Sequence, residues 1–564
     1  MHILKASAFA GAALSSLVGA RATKGPCENS AANRSCWGNY NISTNYYDTI
    51  PNTGVTREYW LDIQNKTIAP DGRDRIGLVI NGSIPGPTII ADWGDNVVVH
   101  VTNSLQDNGT SIHWHGIRQL NNNAYDGVSS VTQCPIAPGQ STTYRWRAEE
   151  YGSSWYHAHW YVQAWDGVFG GILINGPASG NYDEDLGNLF LNDWDINTAD
   201  SLLVGPATTG RPTLQNGLIN GTNTYTNNVT GVTTGSRHSN TVTAGTRYRI
   251  RLVNAGQDVV FKFSIDNHPF EVIAADFVPI VPYTTDTVSL TMGQRYDIIV
   301  TANQTVGNYW MRATAQLACT ANDNPEGILG IWNYEDVDLA EPTSTSWANI
   351  NDSDTCEDEA MSDLVPVVAM DVGAKFYNET TFDAGIYPNT TLVEWNMGPT
   401  PYLNLWSYPT LLQVLDHNNT WVAEQNIQAF PEANTWGVFI VQTTKSVAHP
   451  IHMHGHDFYV LAQGSGPYDA SNTTLQMTNP PRRDTVLLPA SGHVVIAFYT
   501  DNPGAWLMHC HVAWHASEGF AVQILERESE IPGTVTDKRY VTDTCSAWAE
   551  SEKVDYIPQL DSGI

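Results

Sequence analysis

Hydrophobic residues recur along this chain in short runs, and few segments carry a sustained helical period. NVVVHVTN (96–103), TTYRWRA (142–148), GGILING (170–176), TRYRIRLVNA (246–255), RYDIIVTA (295–302) and HVVIAFYT (493–500) are β-branched or alternate apolar with polar residues. Gly-Pro, Asn-Gly and Pro-Gly pairs separate such runs. Alternation bounded by turn residues predicts antiparallel β-sandwiches or barrels. The phrases APGQSTTYRWRA, TAGTRYRIRLVNA, TMGQRYDIIVTA and PASGHVVIAFYT each set a glycine just before a strand, which implies several copies of one β design. Polar, breaker-rich stretches at NGPASGNYD and TSTSWANINDSDT place divisions near residues 178 and 360. The predicted plan is all-β, with units at 23–178, 179–360 and 361–564 behind a leader at 1–22.

Length and charge narrow the class. A chain of 564 residues exceeds one ordinary core and implies two to four domains. Its net charge of −31 repels phosphates, which argues against nucleic acid and anionic membranes as partners. The start, MHILKASAFAGAALSSLVGARA, has a basic residue, an apolar run and small residues at Ala20 and Ala22, the pattern of a secretory leader. No later run approaches the ~20 apolar residues of a membrane span. Thirteen Asn-X-Ser/Thr sequons, beginning with Asn33, Asn41, Asn65, Asn81 and Asn108, fit a glycosylated extracellular protein. Export favours disulfides, and seven cysteines leave one over. Six stand in loop-like contexts, whereas Cys510 lies between two histidines.

Ten of the 17 histidines fall in four clusters: His113 with His115, His157 with His159, His449 with His452 and His454, and His509 with His511 and His515. Side chains two apart on a strand share a face, so each His-X-His pair aims two imidazoles the same way. Imidazole suits copper, zinc and iron. A thiolate with two imidazoles, as in His449, Cys510 and His515, is the trigonal set of an electron-transfer copper. Zinc accepts the same ligands but has no redox chemistry. On an extended segment Cys510 faces one way and its neighbours His509 and His511 the other. One metal at the thiolate is thus joined by short backbone paths to two more, at a separation on the order of a dozen Å. Electrons cross that gap quickly and substrates do not.

These clusters, with SIPGPTI, HWHG, WYHAH, HPIHMHGHDF and HCHVAWHASEGF, resemble the multicopper oxidases, and most closely the laccases of filamentous ascomycete fungi. The resemblance runs through nearly the whole chain after the leader. It implies three consecutive cupredoxin-like Greek-key domains and four copper ions. It assigns His449, Cys510 and His515 to type 1 copper, and His113 and His452 to type 2 copper. His115, His157, His159, His454, His509 and His511 go to the type 3 pair. The cluster then lies between the first and third domains. His456 has no ligand role in the family and is read as a supporting residue. The axial position of type 1 copper falls at Phe520, which offers no ligand atom and implies a high reduction potential. The resemblance also pairs Cys27 with Cys36, Cys134 with Cys545 and Cys319 with Cys356. The end, Asp561-Ser562-Gly563-Ile564, is similar to a family tail that plugs the channel to the tricopper cluster, and is expected to be encoded directly.

The resemblance further points to Asp258 as the base that accepts a phenolic proton, and to Asp126 as an acid beside type 2 copper. Trp514 and Val447 flank ligands and are expected to line the donor pocket. The implied function is one-electron oxidation of small phenolic or related aromatic substrates, coupled to reduction of dioxygen to water. Ascorbate oxidase, ferroxidase and bilirubin oxidase share the motifs. Axial methionine is usual in bilirubin oxidases and is missing here. A non-catalytic copper-binding cupredoxin is the reading from another class, against which stand the ten intact histidines. A secreted monomer is expected, with a dimer as the alternative.

Overall fold

The computed structural model describes residues 27–564 apart from 205–211, 347–353, 388–392, 555, 558 and 560. The leader (1–22) and the sequons at Asn351 and Asn389 lie outside the described residues. The all-β expectation is met by three successive pairs of sheets. In the first pair, Arg75–Ile80, Thr56–Ile68, Asn96–Asn103 and Ser141–Arg147 form one sheet. Gly86–Asp92, Phe169–Asn175, Gly152–Ala158 and Ile112–Trp114 form the other. Alternation decides which face turns inward. Val97, Val99 and Val101 are at most 1% exposed and face a core shared with Ile112, Tyr156 and Ile172 of the second sheet. Each such side chain contributes about 1.5–3 kcal/mol relative to an exposed one.

The second pair runs from Glu184–Trp194 to Leu329–Tyr334, and the third from Phe376–Ile386 to Ala521–Glu526, each with one six-stranded and one five-stranded sheet. The five-stranded sheet of the third pair is ordered Ile427–Phe430, Ala521–Glu526, Gly504–Cys510, His449–Met453, Thr485–Leu488. Its middle-pair counterpart is ordered Ser239–Val242, Leu329–Tyr334, Asn308–Ala315, Phe261–Ile265, Val288–Leu290.

One long helix departs from the strand pattern. Lys538–Glu552 is capped by Asp537, whose side chain accepts the Arg539 N–H. It buries Val541, Cys545 and Trp548, spaced four and three residues apart along one face. Its sequence, KRYVTDTCSAWAESE, is so polar elsewhere that the three-residue stripe is its only helical signal. Cys545 is disulfide-bonded to Cys134, Cys27 to Cys36 and Cys319 to Cys356, as the resemblance implied. The Cys134–Cys545 bridge spans 411 residues and ties this helix to the first sheet pair. Closing so long a loop stabilises the fold by up to about 5 kcal/mol. Among the described residues no helix is long and apolar enough to cross a membrane.

Candidate metal centre

Two strand pairs carry five of the ten clustered histidines, and four of the others stand just past the strand ends. Ile112–Trp114 and Gly152–Ala158 run antiparallel with His113 opposite His157. His449–Met453 and Gly504–Cys510 run antiparallel with His452 opposite His509 and Ile451 opposite Cys510. Directly opposed side chains on one face lie close together, so each pair brings two rings to a common space. The two spaces merge. His115 stacks on His452 with ring centroids 3.8 Å apart, and His113 lies 3.9 Å from His454. His159 is 5.2 Å from His454 and 5.3 Å from His509, while His511 is 5.2 Å from His115 and 5.4 Å from His157. All eight rings are buried.

For six of the eight rings the hydrogen bonds fix which nitrogen is left for a metal. Nδ1 of His113 meets the Asp126 carbonyl, of His157 the Ala158 carbonyl, of His452 the Asp484 carbonyl and of His509 the Cys510 carbonyl; Nδ1 of His454 meets Asp126 Oδ2. These rings therefore turn Nε2 toward the cluster. His115 is reversed, with Nε2 3.1 Å from Asp484 Oδ1 and Nδ1 turned toward His157. Nε2 of His113, His159 and His452, and both ring nitrogens of His511, are buried without a hydrogen-bond partner. Leaving so many donor atoms unmatched is costly, and metal ions resolve it. Burial, reinforced by repulsion between neighbouring rings, holds His115, His157, His159, His452, His454 and His511 well below the usual histidine range. Burial also pushes His509 down to about 4. Neutral imidazole is the form that binds metal.

On the opposite face of the Gly504–Cys510 strand, Cys510 Sγ lies 3.5 Å from His515 Nδ1 and 3.9 Å from His449 Nδ1. The two Nδ1 atoms are 3.0 Å apart. Three converging donors of this kind, one sulfur and two nitrogens, fit copper. His515 sits on the short helix Ala513–Ser517, which directly follows the ligand strand. Phe520 is fully buried, packs 4.9 Å from the His449 ring and stacks on Trp395. Trp395, 4.4 Å from the His515 ring, was not singled out from sequence. Nothing in its local pattern marks it, because a remote strand delivers it. Trp514 is buried and Val447 half-buried.

The acids divide between the two sites. Asp126 is fully buried, and its carboxylate lies 3.2 Å from His113 Nδ1 and 2.9 Å from His454 Nδ1. Asp258 accepts Thr320 Oγ1, and its N–H donates to Asp193, which also accepts the N–H groups of Gln257 and Val259. The Gln257 carbonyl accepts the Ala513 N–H, so this loop abuts the helix that carries His515. Burial raises Asp193 to about 7. His456 turns away from the cluster to a buried ion pair with Glu526. Asp484, missed in the sequence, groups with His115 and His452. Its signal was the charged run Arg482-Arg483-Asp484 opening an apolar strand.

The last four residues are docked. Ser562 N–H donates to the Ser517 carbonyl, Asn404 and Trp406 donate to the Gly563 carbonyl, and Ile564 is 5% exposed. Ile564 belongs to the same apolar cluster as Trp160, which directly follows His159. Asp561 is raised to about 7 by burial.

Family models described as Multicopper oxidase match residues 62–179, 185–335 and 397–530. Laccase-1 of Botryotinia fuckeliana is 50% identical over 544 residues, covering 95% of this chain and 94% of that protein. A laccase of Neurospora crassa is 41% identical, covering 95% and 89%. The crystal structure of the laccase from Botrytis aclada superposes with a TM-score of 0.91 at 45% identity, covering 95% of this chain and all of that one. Fet3p, a multicopper oxidase that functions in iron import, shares the fold with a TM-score of 0.77 at 24% identity, covering 90% and 97%.

Proposed function

Because the chain belongs to the multicopper oxidases and acts as a laccase, we propose how its clustered ligands divide four copper ions between an electron-entry site and an oxygen site. His449, Cys510 and His515 hold type 1 copper. His113 and His452 hold type 2 copper. His159, His454 and His509, whose ligand atoms lie within 4.8 Å of one another, hold one ion of the type 3 pair. His115, His157 and His511, with ring separations of 5.2–5.6 Å, hold the other. Bound copper supplies one-electron oxidation of phenolic donors and four-electron reduction of dioxygen to water. The single observation that carries this division is the Gly504–Cys510 strand, with Cys510 on the thiolate side and His509 opposite His452 on the other.

The protein's own groups move the protons. Asp258 accepts the phenolic proton as the electron leaves toward Cys510. Asp126, against His113 and His454, serves proton delivery on the oxygen side. Phe520 supplies no ligand atom, which favours a high type 1 potential, and Trp514 and Val447 border the donor pocket. The docked tail Asp561–Ile564 plugs the approach to the oxygen site. The domains divide near 178 and 360, and the protein is a secreted, glycosylated monomer with no nucleic-acid or membrane partner.

Oxygen uptake with a methoxylated phenol, ascorbate and ferrous iron, assayed together with peroxide, tests the reading. Fast uptake with the phenol and no peroxide is expected. A preference for ascorbate or iron overturns the donor assignment, and accumulating peroxide overturns the intact tricopper set.

A further inference from the structure

The middle domain carries none of the clustered histidines, yet one of its turns reaches the oxygen site. Gly293 has φ +88°, and a Cβ there would lie 3.0 Å from His115 Cε1, 3.1 Å from His511 Cδ2 and 3.2 Å from Thr485 Oγ1. The turn backbone thus lies against two histidines with little room for a side chain, in a conformation that itself favours glycine. Two residues on, Arg295 is fully buried and forks onto Asp484, with Nη1 2.6 Å from Oδ1 and Nη2 2.6 Å from Oδ2. Asp276, also of the middle domain, accepts the backbone N–H groups of Arg295 at 3.0 Å and Asp484 at 3.1 Å, and Arg483 Nε at 3.1 Å.

This scaffold ends on a ring. Asp484 Oδ1 is 3.1 Å from His115 Nε2, and the Asp484 carbonyl is 2.7 Å from His452 Nδ1. A carboxylate accepts only, so Nε2 of His115 is the protonated nitrogen and Nδ1 carries the lone pair. His115 thereby presents the nitrogen opposite to the one offered by His113, His157, His452, His454 and His509. Its orientation depends on Asp484 staying in place, and a planar two-pronged contact fixes a carboxylate in both position and rotation.

We propose that Arg295 is a positioning residue of the oxygen site. It fixes Asp484, which sets the tautomer and orientation of His115, so the middle domain governs how firmly copper is held at that ligand. The inference rests on the reading of His115 as a type 3 ligand.

The test uses the full-length, copper-loaded protein and follows removal of copper by a competing chelator. Copper per chain and the fraction silent in electron paramagnetic resonance report the coupled pair, and the thiolate-to-copper absorption band reports type 1 copper. Arg295→Lys keeps the charge and loses the fork, Asp484→Asn keeps the volume, and His115→Gln serves as reference. The expected result is that either of the first two variants lowers copper affinity at the pair ~10–100-fold with an unchanged thiolate band. Retention of the silent copper at wild-type chelator concentrations, in whichever of the two variants is recovered folded, overturns the proposal. If His115→Gln also retains it, the ligand assignment itself fails. If only His115→Gln releases it, the positioning role alone fails.

Discussion

In the first and third domains, the third and fourth strands of the ligand-bearing sheet set His113 opposite His157 and His452 opposite His509. The strands at the same places in the middle domain, Asn308–Ala315 and Phe261–Ile265, set Lys262 opposite Thr314 and contain no histidine. Phe261, Phe263 and Ile265 instead fill the middle domain's own core and are fully buried. One strand plan therefore serves metal binding in two places and simple packing in a third. Side-chain identity, and not topology, decides between them. The middle domain reaches the clusters from outside, through the Asp258 loop against the helix that carries His515 and the Gly293–Arg295 turn against His115 and His511.

Four measurements sharpen or break this contrast. The largest effect is expected from Cys510→Ser, which removes the thiolate that links the two sites. The thiolate absorption disappears, and oxygen uptake falls by roughly a thousandfold or more, because groups acting as a unit fail together. Appreciable turnover without the thiolate would separate the two sites functionally. Next, Asp258→Asn is expected to lower kcat/KM for phenols ~100-fold and to leave donors that lose no proton within about twofold. Equal losses for both classes would return the loop to a purely structural role. Phe520→Met is expected to lower the type 1 potential, because a thioether sulfur stabilises oxidised copper. An unchanged redox titration would remove Phe520 from the axial position.

The smallest effect concerns the docked tail. Burial raises Asp561 to about 7, above the ~3.9 of an unfolded aspartate. Its contribution is thus fully present below about pH 4 and is lost as pH rises through about 7. Amide exchange at Ser562 and Gly563, corrected for intrinsic rates, is expected to quicken between about pH 5 and 8. Asp561→Asn is expected to flatten that profile, and a flat profile in the unmodified protein would detach the tail from Asp561.

The same contrast explains what could be read from sequence. His-X-His spacing and the Cys510 triplet were legible because these residues are local, two or three apart on a strand or just past its end. The strand runs were legible because burial on one face imposes alternation. The Lys538–Glu552 helix was missed because one apolar stripe of three residues is a faint period. Asp126 and Asp258 were reached only through family likeness, since an acid in a turn looks like any other. Asp484 and Arg295 were not found, because they meet residues of other domains and no spacing encodes a contact across domains. Trp395 was not found because it reaches His449 and His515 from a strand remote in sequence within its own domain.

The shared cluster also sets an order of events during synthesis. His113, His115, His157 and His159 leave the ribosome well before His449 through His515 have been made, by tens of seconds at ordinary elongation rates. The first domain can fold in that interval, but half of the oxygen site then faces outward with no opposite wall. Its complete donor set exists only after the third domain has docked, and the Cys134–Cys545 bridge forms later still, once the last helix has been made. A chain cut short before residue 509 therefore lacks the thiolate site and two donors of the oxygen site, however well its first two domains fold. Complete copper occupancy in this molecule is in effect a record that synthesis passed His515.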